Sequence, residues 1–271
     1  MELRGKTIWL TGASSGIGRA LALQLAGEGA DLLLSSRSEN SLKEVIASCR
    51  QKGAECNPII FDLSKPADVD KAVIEALKHA PVDMLINNGG ISQRAIAMDT
   101  GVKVDRLIME VNYFAPVRLS KLLLPAMLKR GSGHIVCISS IIGKFGYPGR
   151  SAYAASKHGI MGFFDSLRAE IVGRGINITL ICPGRISTDI SLNALRGNGD
   201  RFNKMEIKHA KGMPAEKCAK KIISAIKKNK KEAWIGGKEL SMIYLRNWAP
   251  ALYYYITSRL NKAGQRKLTS K

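Results

Sequence analysis

Residues 6–27, KTIWLTGASSGIGRALALQLAG, place an apolar strand, a glycine-rich turn and an amphipathic helix in immediate succession. The turn has the spacing G-x-x-x-G-x-G at Gly12, Gly16 and Gly18. Glycines at these places let backbone N–H groups approach a pyrophosphate at the N-terminus of the helix. The stretch therefore predicts a strand–turn–helix unit that binds a dinucleotide, with a spacing that differs from the general G-x-G-x-x-G fingerprint.

Further strand-like runs alternate with helical segments near residues 31, 57, 83, 134, 177 and 232. Such alternation is typical of a parallel sheet with helices on both faces. The 271 residues suffice for one such domain with a large core. We therefore predict an α/β protein with a Rossmann-type, doubly wound parallel sheet of about seven strands in a single domain. Residues 1–238 form this domain, and residues 239–271 form a basic, aromatic C-terminal extension.

The second strand ends in Ser35, Ser36 and Arg37, close to where the dinucleotide fingerprint expects an acidic residue for the ribose of NAD. Arginine suits a 2′-phosphate, and no carboxylate stands there to repel it. The sequence therefore favours NADP(H) over NAD(H) as the cofactor. The alternative is that Arg37 is only a solvated residue at the start of the next helix.

Polar or glycine-rich segments follow other strands, at Asp62, at Asn87–Gly90 and at Pro183–Thr188. The carboxyl ends of parallel strands meet at one edge of a sheet, where open α/β proteins bind ligands. Asp62 can equally cap the following helix, a role for which Ser64 competes, and an Asn-Gly turn can form without a ligand. The convergence of these segments predicts one ligand site at this edge.

Tyr153 and Lys157 stand four residues apart in a helical run, so both side chains lie on one face of a helix. A nearby ammonium lowers the pKa of a phenol, which makes proton transfer to or from a substrate oxygen feasible near neutrality. Taken alone, the spacing is common by chance and favours two surface side chains. Its position after the predicted ligand edge favours a catalytic role.

The combination of TGASSGIG, NNGG, Asn112, Ser140 and YAASK, in this order and spacing, resembles the classical short-chain dehydrogenase/reductase family over about residues 4–236. In NNGG, Asn88 and Gly89 occupy the second-Asn and alanine places of the family's N-N-A-G. Ile160 rules out the wider Tyr–Lys spacing of enoyl reductases. The segment around YAASK is also similar to the hydroxysteroid dehydrogenase-like, carbonyl-reducing subgroup.

The resemblance implies roles for the four catalytic candidates. Tyr153 would exchange a proton with the substrate oxygen, and Ser140 would hydrogen-bond that oxygen. Lys157 would lower the pKa of the phenol and hold the nicotinamide ribose, while Asn112 would hold a water linking Lys157 to solvent. The residues expected to contact the cofactor are Gly12, Ser14, Ser15, Gly16, Ile17, Gly18, Arg37, Asp62, Leu63, Asn88, Gly89, Tyr153, Lys157, Pro183, Gly184, Ile186 and Thr188.

The substrate is expected to be a lipophilic alcohol or ketone. By resemblance, residues 189–213 form a lid, and this stretch contains the apolar residues Ile190, Leu192, Leu195, Phe202, Met205 and Met213. Ile142, Phe145 and Tyr147 border the predicted site and point to the same substrate class. Ordinary packing within the domain is the alternative explanation for the apolar lid residues.

The net charge is +20, and residues 201–271 contribute 18 Lys and Arg against 4 Asp and Glu. Within them, residues 240–260 hold many aromatic side chains, interrupted by Arg246 and Pro250. An interfacial helix on an anionic membrane fits this composition, and so does a helix that packs on its own domain or on a partner subunit. We do not expect nucleic-acid binding, because no recognition motif accompanies the charge.

Cysteine and histidine usage point to a reducing compartment without a metal site. Five cysteines form no CxxC motif, and four histidines lack zinc-like spacing. The N-terminal run is too short for a signal peptide, and no apolar run reaches membrane-spanning length. We expect a cytoplasmic protein, peripheral to a membrane if the extension binds one, that forms a homodimer or homotetramer through the helices of Asn112 and Tyr153.

The sequence thus predicts an NADP(H)-dependent oxidoreductase that moves a hydride between nicotinamide and an alcohol or ketone. One alternative keeps the reaction and uses NAD(H). The other is a non-catalytic cofactor-binding protein that acts through its basic C-terminal tail. The intact set of Ser140, Tyr153 and Lys157 argues against the non-catalytic alternative.

Overall fold

The computed structural model describes residues 1–203 and 211–268. Its strands are β1 (Thr7–Thr11), β2 (Asp31–Ser36), β3 (Cys56–Ile60), β4 (Met84–Asn87), β5 (Gly133–Ile138), β6 (Ile176–Pro183), β7 (Ile186–Ser187), β8 (Met213–Pro214) and β9 (Glu232–Ile235). Seven of them form one parallel sheet in the order β3-β2-β1-β4-β5-β6-β9, and β7 pairs with β8. The predicted doubly wound sheet is confirmed.

Helices connect these strands and cover the sheet. They are α1 (Gly16–Gly27), α2 (Asn40–Arg50), α3 (Pro66–His79), α4 (Val102–Met109), α5 (Ala115–Arg130), α6 (Ser151–Glu170), α7 (Ala215–Lys227), α8 (Ser241–Trp248) and α9 (Pro250–Leu268). Helices α1, α2 and α7 pack on one face of the sheet, and α3, α5 and α6 pack on the other.

Strand β1 shows why the sheet lies between two helical layers. Ile8 and Leu10 point into the core shared with α1, α2 and α7, whereas Trp9 points into the opposite core. All three side chains are fully buried. A strand buried on both faces carries a nearly continuous apolar run, as this one does. The Trp9 indole N–H donates to the Ser35 hydroxyl at 2.8 Å, which satisfies its polar group inside the core.

The helical stretch between β4 and β5 contains an irregular turn. A π-helical segment, Glu110–Phe114, joins α4 to α5 and carries Asn112. π-Helical turns widen the backbone and are frequent at functional sites. This irregularity brings the buried Asn112 side chain to the carboxyl edge of the sheet, as described below.

The C-terminal extension packs against the rest of the chain. Ile243 of α8 and Tyr253 of α9 are buried in one cluster with Phe145 and Tyr153. The Tyr253 hydroxyl donates to the Gly146 carbonyl oxygen, and its ring meets Phe145 edge-on at 6.1 Å between centroids. The first helices of the extension therefore buttress the loop that precedes α6.

The cysteines Cys49, Cys56, Cys137, Cys182 and Cys218 are all buried free thiols. The predicted lid is described over residues 189–203 and 211–213, and its first part runs as turns and isolated bridges. Met205, which the sequence placed in the lid, lies outside the described residues.

Candidate active site

A cavity of about 1210 Å³ opens at the carboxyl ends of the parallel strands. It exceeds the roughly 300–1,000 Å³ of a typical single-ligand site, so it has room for a cofactor together with a substrate. The predicted cofactor residues that line it are Gly12, Ser14, Ser15, Gly16, Ile17, Gly18, Arg37, Asp62, Leu63, Asn88, Gly89, Tyr153, Lys157, Pro183, Gly184, Ile186 and Thr188. Ser140 also lines it, whereas Asn112 lies behind its wall.

The glycine turn is pressed against the loop after β4. Gly12 has φ +65°, and a Cβ there would lie 2.7 Å from the Gly89 Cα. A Cβ on Gly18 would lie 2.0 Å from the Gly12 carbonyl oxygen. The turn therefore tolerates no side chain at these places, and the bare backbone at the start of α1 suits a pyrophosphate.

Asn88 braces this arrangement. Its side-chain amide donates to the carbonyl oxygens of Thr11 and Gly12 at 3.0 and 3.1 Å. The Thr11 hydroxyl in turn accepts from the backbone N–H groups of Asn88 and Gly89, both at 3.0 Å. Sequence reasoning missed Thr11, whose partners stand 77 and 78 residues away. The two residues lock the glycine turn to the β4 loop.

Arg37 is exposed at the end of β2, on the cavity wall. Three serines line the cavity beside it, namely Ser36, Ser38 and Ser41. The Ser36 hydroxyl accepts from the Ser38 backbone N–H at 3.1 Å and lies 2.8 Å from the Ser41 hydroxyl. Sequence reasoning did not single out Ser38 and Ser41, although the run SSRSENS signals a hydroxyl-rich turn. The Ser36 and Ser41 hydroxyls both donate to the Ser38 carbonyl oxygen at 2.6 Å, so the Arg37 guanidinium is the group of this turn that suits an anion.

Asp62 makes a local turn at the end of β3. Its Oδ1 accepts from both the backbone N–H and the hydroxyl of Ser64 at 2.9 Å. Helix α3 begins later, at Pro66, with Lys65 at its N-cap, so neither Asp62 nor Ser64 caps it. The turn leaves Asp62 on the cavity wall beside Leu63.

Ser140 and Tyr153, two of the catalytic candidates, both line the cavity. The Ser140 hydroxyl accepts from the Ile142 backbone N–H at 3.2 Å and donates to the Pro183 carbonyl oxygen at 3.4 Å. Burial raises the pKa of Tyr153, although the hydroxyl of Ser140 and the charges of Arg150 and Arg94 oppose the rise. The predicted lowering of the pKa of Tyr153 by Lys157 is therefore wrong for this structure, because desolvation of the phenolate outweighs nearby charge.

Lys157 is buried behind Tyr153. Its ammonium donates to the Ile138 carbonyl oxygen at 2.9 Å and lies 5.8 Å from the centre of the Tyr153 ring. Burial lowers the pKa of Lys157 to about 8. The side chain is thus held by the end of β5, with its amine facing the cavity that the nicotinamide ribose is expected to enter.

Asn112 fixes the loop after β4 through hydrogen bonds to its backbone. Its Oδ1 accepts from the Ile91 backbone N–H, and its Nδ2 donates to the Ile91 carbonyl oxygen, both at 2.9 Å. Its Nδ2 also donates to the Ser156 hydroxyl at 3.1 Å. A Cβ on Gly90 would lie 3.0 Å from Asn112 Oδ1 and 3.6 Å from Lys157 Nζ, so Gly90 sits between the two. Holding a water between Asn112 and Lys157 remains a prediction.

The other end of the cavity is mainly apolar. Ile142, Phe145 and Tyr147 line it as predicted, together with Ile190, Leu195 and Met242. Of the remaining predicted lid residues, Leu192 and Phe202 do not line the cavity, and Met213 packs against the core beside α7. Ordinary packing therefore accounts for part of the apolar lid composition.

Glu239, from the C-terminal extension, closes the wall near Gly184 and was missed by sequence reasoning. Its carboxylate accepts from the Arg185 backbone N–H at 2.9 Å. Desolvation raises the pKa of Glu239, but hydrogen bonds from the backbone N–H groups of Arg185, Glu239 and Gly237 outweigh it and hold the pKa below its usual value. The partners lie 54 residues apart, which hides the link from local pattern analysis.

Two absences apply to residues 1–203 and 211–268. No group of three His, Cys, Asp or Glu side chains there is arranged to bind a metal ion. None of the helices in these ranges combines the length and the hydrophobicity needed to cross a bilayer.

Comparison with known proteins identifies the class. The family model of the short chain dehydrogenases matches residues 6–198, and the chain belongs to that family. Dehydrogenase/reductase SDR family member 7B of Xenopus tropicalis is 41% identical over 275 residues, covering 98% of this chain and 88% of the relative.

Solved structures share the fold. A proposed NAD(P)-dependent gluconate 5-dehydrogenase from Beutenbergia cavernae, with NADP bound at low occupancy, has a TM-score of 0.68 and 36% identity, covering 70% of this chain and 76% of that one. A short-chain dehydrogenase from Burkholderia phymatum in complex with NAD has a TM-score of 0.83 and 24% identity, covering 93% and 96%.

The protein is therefore an oxidoreductase that acts on CH–OH or C=O groups with a nicotinamide cofactor. The cofactor supplies or accepts the hydride, and the glycine turn, the Asn88 brace and Lys157 form the surface that fits it. Tyr153 and Ser140 both present a hydroxyl to the cavity, where an oxygen that gains charge during reduction would be stabilised. A phenol is protonated at neutral pH, as proton donation to a carbonyl oxygen requires.

Proposed function

We propose that the protein is an NADP(H)-dependent oxidoreductase of lipophilic alcohols or ketones. The observation that carries the cofactor preference is the position of Arg37 beside three serines at the end of β2. This group provides a cation close to serine hydroxyls, and residues 35–38 contain no carboxylate. The similar structures hold NADP in one case and NAD in another, so the preference rests on Arg37 alone.

Replacing Arg37 tests this proposal against its NAD-dependent alternative. Arg37→Ala is expected to weaken NADPH binding about 10- to 100-fold, the usual loss for a charge-assisted contact to phosphate, and to leave NADH binding within about twofold. Arg174→Ala, at an exposed site after α6, is the matched control for loss of one positive charge. Equal losses for NADPH and NADH, or tighter binding of NADH by the wild type, would refute the preference.

The lipophilic substrate is supported by the apolar end of the cavity and by an adjoining groove. This groove, of about 390 Å³, shares Tyr147 and Pro148 with the main cavity and is also lined by Tyr253 and Tyr254. A long apolar substrate has room to extend from the cavity into the groove. Gly146 lines the groove, and a Cβ there would meet nothing within 4 Å.

A series of aliphatic ketones of increasing length tests the substrate class. kcat/KM is expected to rise by about threefold per buried methylene until the cavity and groove are filled. Gly146→Leu fills the groove, so it should reduce kcat/KM for long ketones and leave short ones unchanged. A profile that is flat with chain length would contradict the lipophilic substrate.

We also propose that the extension contacts an anionic membrane. Trp248 is 84% exposed, and Tyr244, Tyr255 and Leu252 are at least half exposed. Arg259 stacks on Tyr255, and residues 260–271 contain four basic and no acidic residues. Aromatic side chains with basic flanks are typical of interfacial helices.

Cosedimentation with vesicles tests the membrane proposal. The wild type is expected to bind vesicles that contain phosphatidylserine at low salt, and a Trp248→Ser/Tyr255→Ser variant should bind less. Val172→Ser removes an equally exposed apolar side chain elsewhere and is the control. Absence of binding at low salt would contradict the membrane proposal and indicate that the extension only packs against its own domain.

The proposed cellular setting is a reducing compartment such as the cytoplasm, supported by the five buried free thiols.

Association into a homodimer or homotetramer through α4, α5 and α6 is supported by the exposed Leu107, Phe114 and Leu122. Light scattering of the wild type and of Phe114→Glu tests the assembly. A wild-type mass equal to one chain would exclude it.

A further inference from the structure

Gln93 stands in the segment after β4 and is fully buried. Its side-chain oxygen accepts from the Ala152 backbone N–H at 2.9 Å. Its amide nitrogen donates to the Thr100 hydroxyl at 2.7 Å and lies 3.5 Å from the Ser151 hydroxyl. Both ends of the carboxamide are therefore held, although Gln93 is no part of the cavity wall.

The bond to Ala152 satisfies the start of helix α6. The first N–H groups of a helix have no partner within it, and a side chain at the N-cap usually provides one. Arg150, at the N-cap of α6, makes no such bond. Gln93 takes its place from 59 residues away and binds the residue immediately before Tyr153. Ala152 is buried, so water has little access to replace this bond.

The segment that carries Gln93 also contacts the substrate loop, which is the part of the predicted lid at residues 189–203. The Arg94 backbone N–H donates to the Leu195 carbonyl oxygen, and the Leu195 N–H donates to the Ser92 carbonyl oxygen, both at 2.8 Å. Leu195 lines the cavity. One short segment thus connects the wall that faces the substrate to the first turn of the helix that carries Tyr153.

We propose that Gln93 is a positioning residue, which fixes the first turn of α6 and through it the Tyr153 phenol relative to the substrate loop. The inference rests on the proposed function, because it takes Tyr153 as the proton donor. Removing the carboxamide frees the first turn, so the phenol loses its fixed place and gains access to water. A residue with a purely structural role would lower stability without a selective effect on the chemical step.

Three variants separate these roles. Gln93→Met keeps the length of the side chain and removes its hydrogen bonds to Ala95, Thr100, Ser151 and Ala152. Gln93→Glu keeps the acceptor for the Ala152 N–H, and an anion is favourable at a helix N-terminus. Thr100→Val removes the other partner and leaves the bond to Ala152, so it is the matched control for lost stability.

Steady-state kinetics of the full chain with NADPH and a carbonyl substrate provide the first readout. In Gln93→Met, kcat is expected to fall at least tenfold while NADPH affinity stays within about twofold. Gln93→Glu is expected to have most of the wild-type kcat. Thr100→Val is expected to keep the wild-type kcat. A kcat for Gln93→Met within about twofold of the wild type, with a reduced Tm, would overturn the proposal.

Ultraviolet titration of tyrosine, read as the difference from a Tyr153→Phe background, provides a readout without turnover. The pKa of Tyr153 is expected to fall toward its ordinary value in Gln93→Met and to stay raised in Thr100→Val. An unchanged titration would overturn the proposal even if no carbonyl is reduced. Failure of the proposed function alone would leave the shifted titration intact.

Discussion

The Lys157 ammonium donates to the Ile138 carbonyl oxygen at 2.9 Å, so the end of β5 holds the buried amine. The ammonium lies 5.8 Å from the centre of the Tyr153 ring. Burial favours the neutral form of both groups. It therefore raises the pKa of Tyr153 and lowers the pKa of Lys157 to about 8. The protein therefore keeps a protonated phenol beside an amine whose charge is easily lost.

Stability should depend on pH through Lys157. Its pKa is about 8 in the folded chain and 10.5 for a solvated lysine, so the unfolded chain binds more protons between these two pH values. The free energy of unfolding of the wild type should therefore rise relative to that of Lys157→Met as pH increases from 8 to 10.5, by up to about 3 kcal/mol. Urea unfolding of both proteins across this range measures the difference. Parallel pH profiles would contradict the lowered pKa.

Two glycines of the cofactor surface should respond differently to alanine. At Gly12 the positive φ and backbone contact at 2.7 Å leave no room, so Gly12→Ala should weaken NADPH binding at least about tenfold. At Gly89 the only contact below 3 Å is the end of the Leu63 side chain at 2.5 Å, which can rotate away. Gly89→Ala should keep NADPH affinity within about threefold. Fluorescence titration with NADPH compares them, and equal losses would contradict the packing described.

The hydrogen bond from the Arg185 backbone N–H to Glu239 should be sensitive to the addition of a side chain at Gly184. A Cβ on Gly184 would lie 2.3 Å from Glu239 Oε1. Gly184→Ala should displace the carboxylate from the Arg185 N–H and lower the free energy of unfolding by about 1–3 kcal/mol. Adding Glu239→Ala to Gly184→Ala should cost little more, because the same contact is already lost. Additive losses, measured by urea unfolding, would show that the two residues act independently.

The features that the sequence predicted are those encoded by short patterns. The strand at Thr7–Thr11, the glycine turn and the Tyr153–Lys157 spacing each lie within one or two elements, so periodicity and turn chemistry reveal them. Thr11, Gln93 and Glu239 escaped notice because their partners lie more than fifty residues away. The predicted direction of the pKa shift of Tyr153 was wrong for a related reason. Spacing reveals a neighbouring charge, whereas burial depends on the tertiary fold.

NADPH oxidation by the full chain tests the central claim most directly. Steroid, retinoid, aliphatic, aromatic and quinone carbonyls are supplied with NADPH or NADH, and Tyr153→Phe is run beside the wild type. We predict turnover of at least one lipophilic carbonyl with NADPH in preference to NADH, and a loss of about 10²-fold or more in Tyr153→Phe. Turnover that survives in Tyr153→Phe, or binding of NADPH without reduction of any carbonyl, would contradict the account.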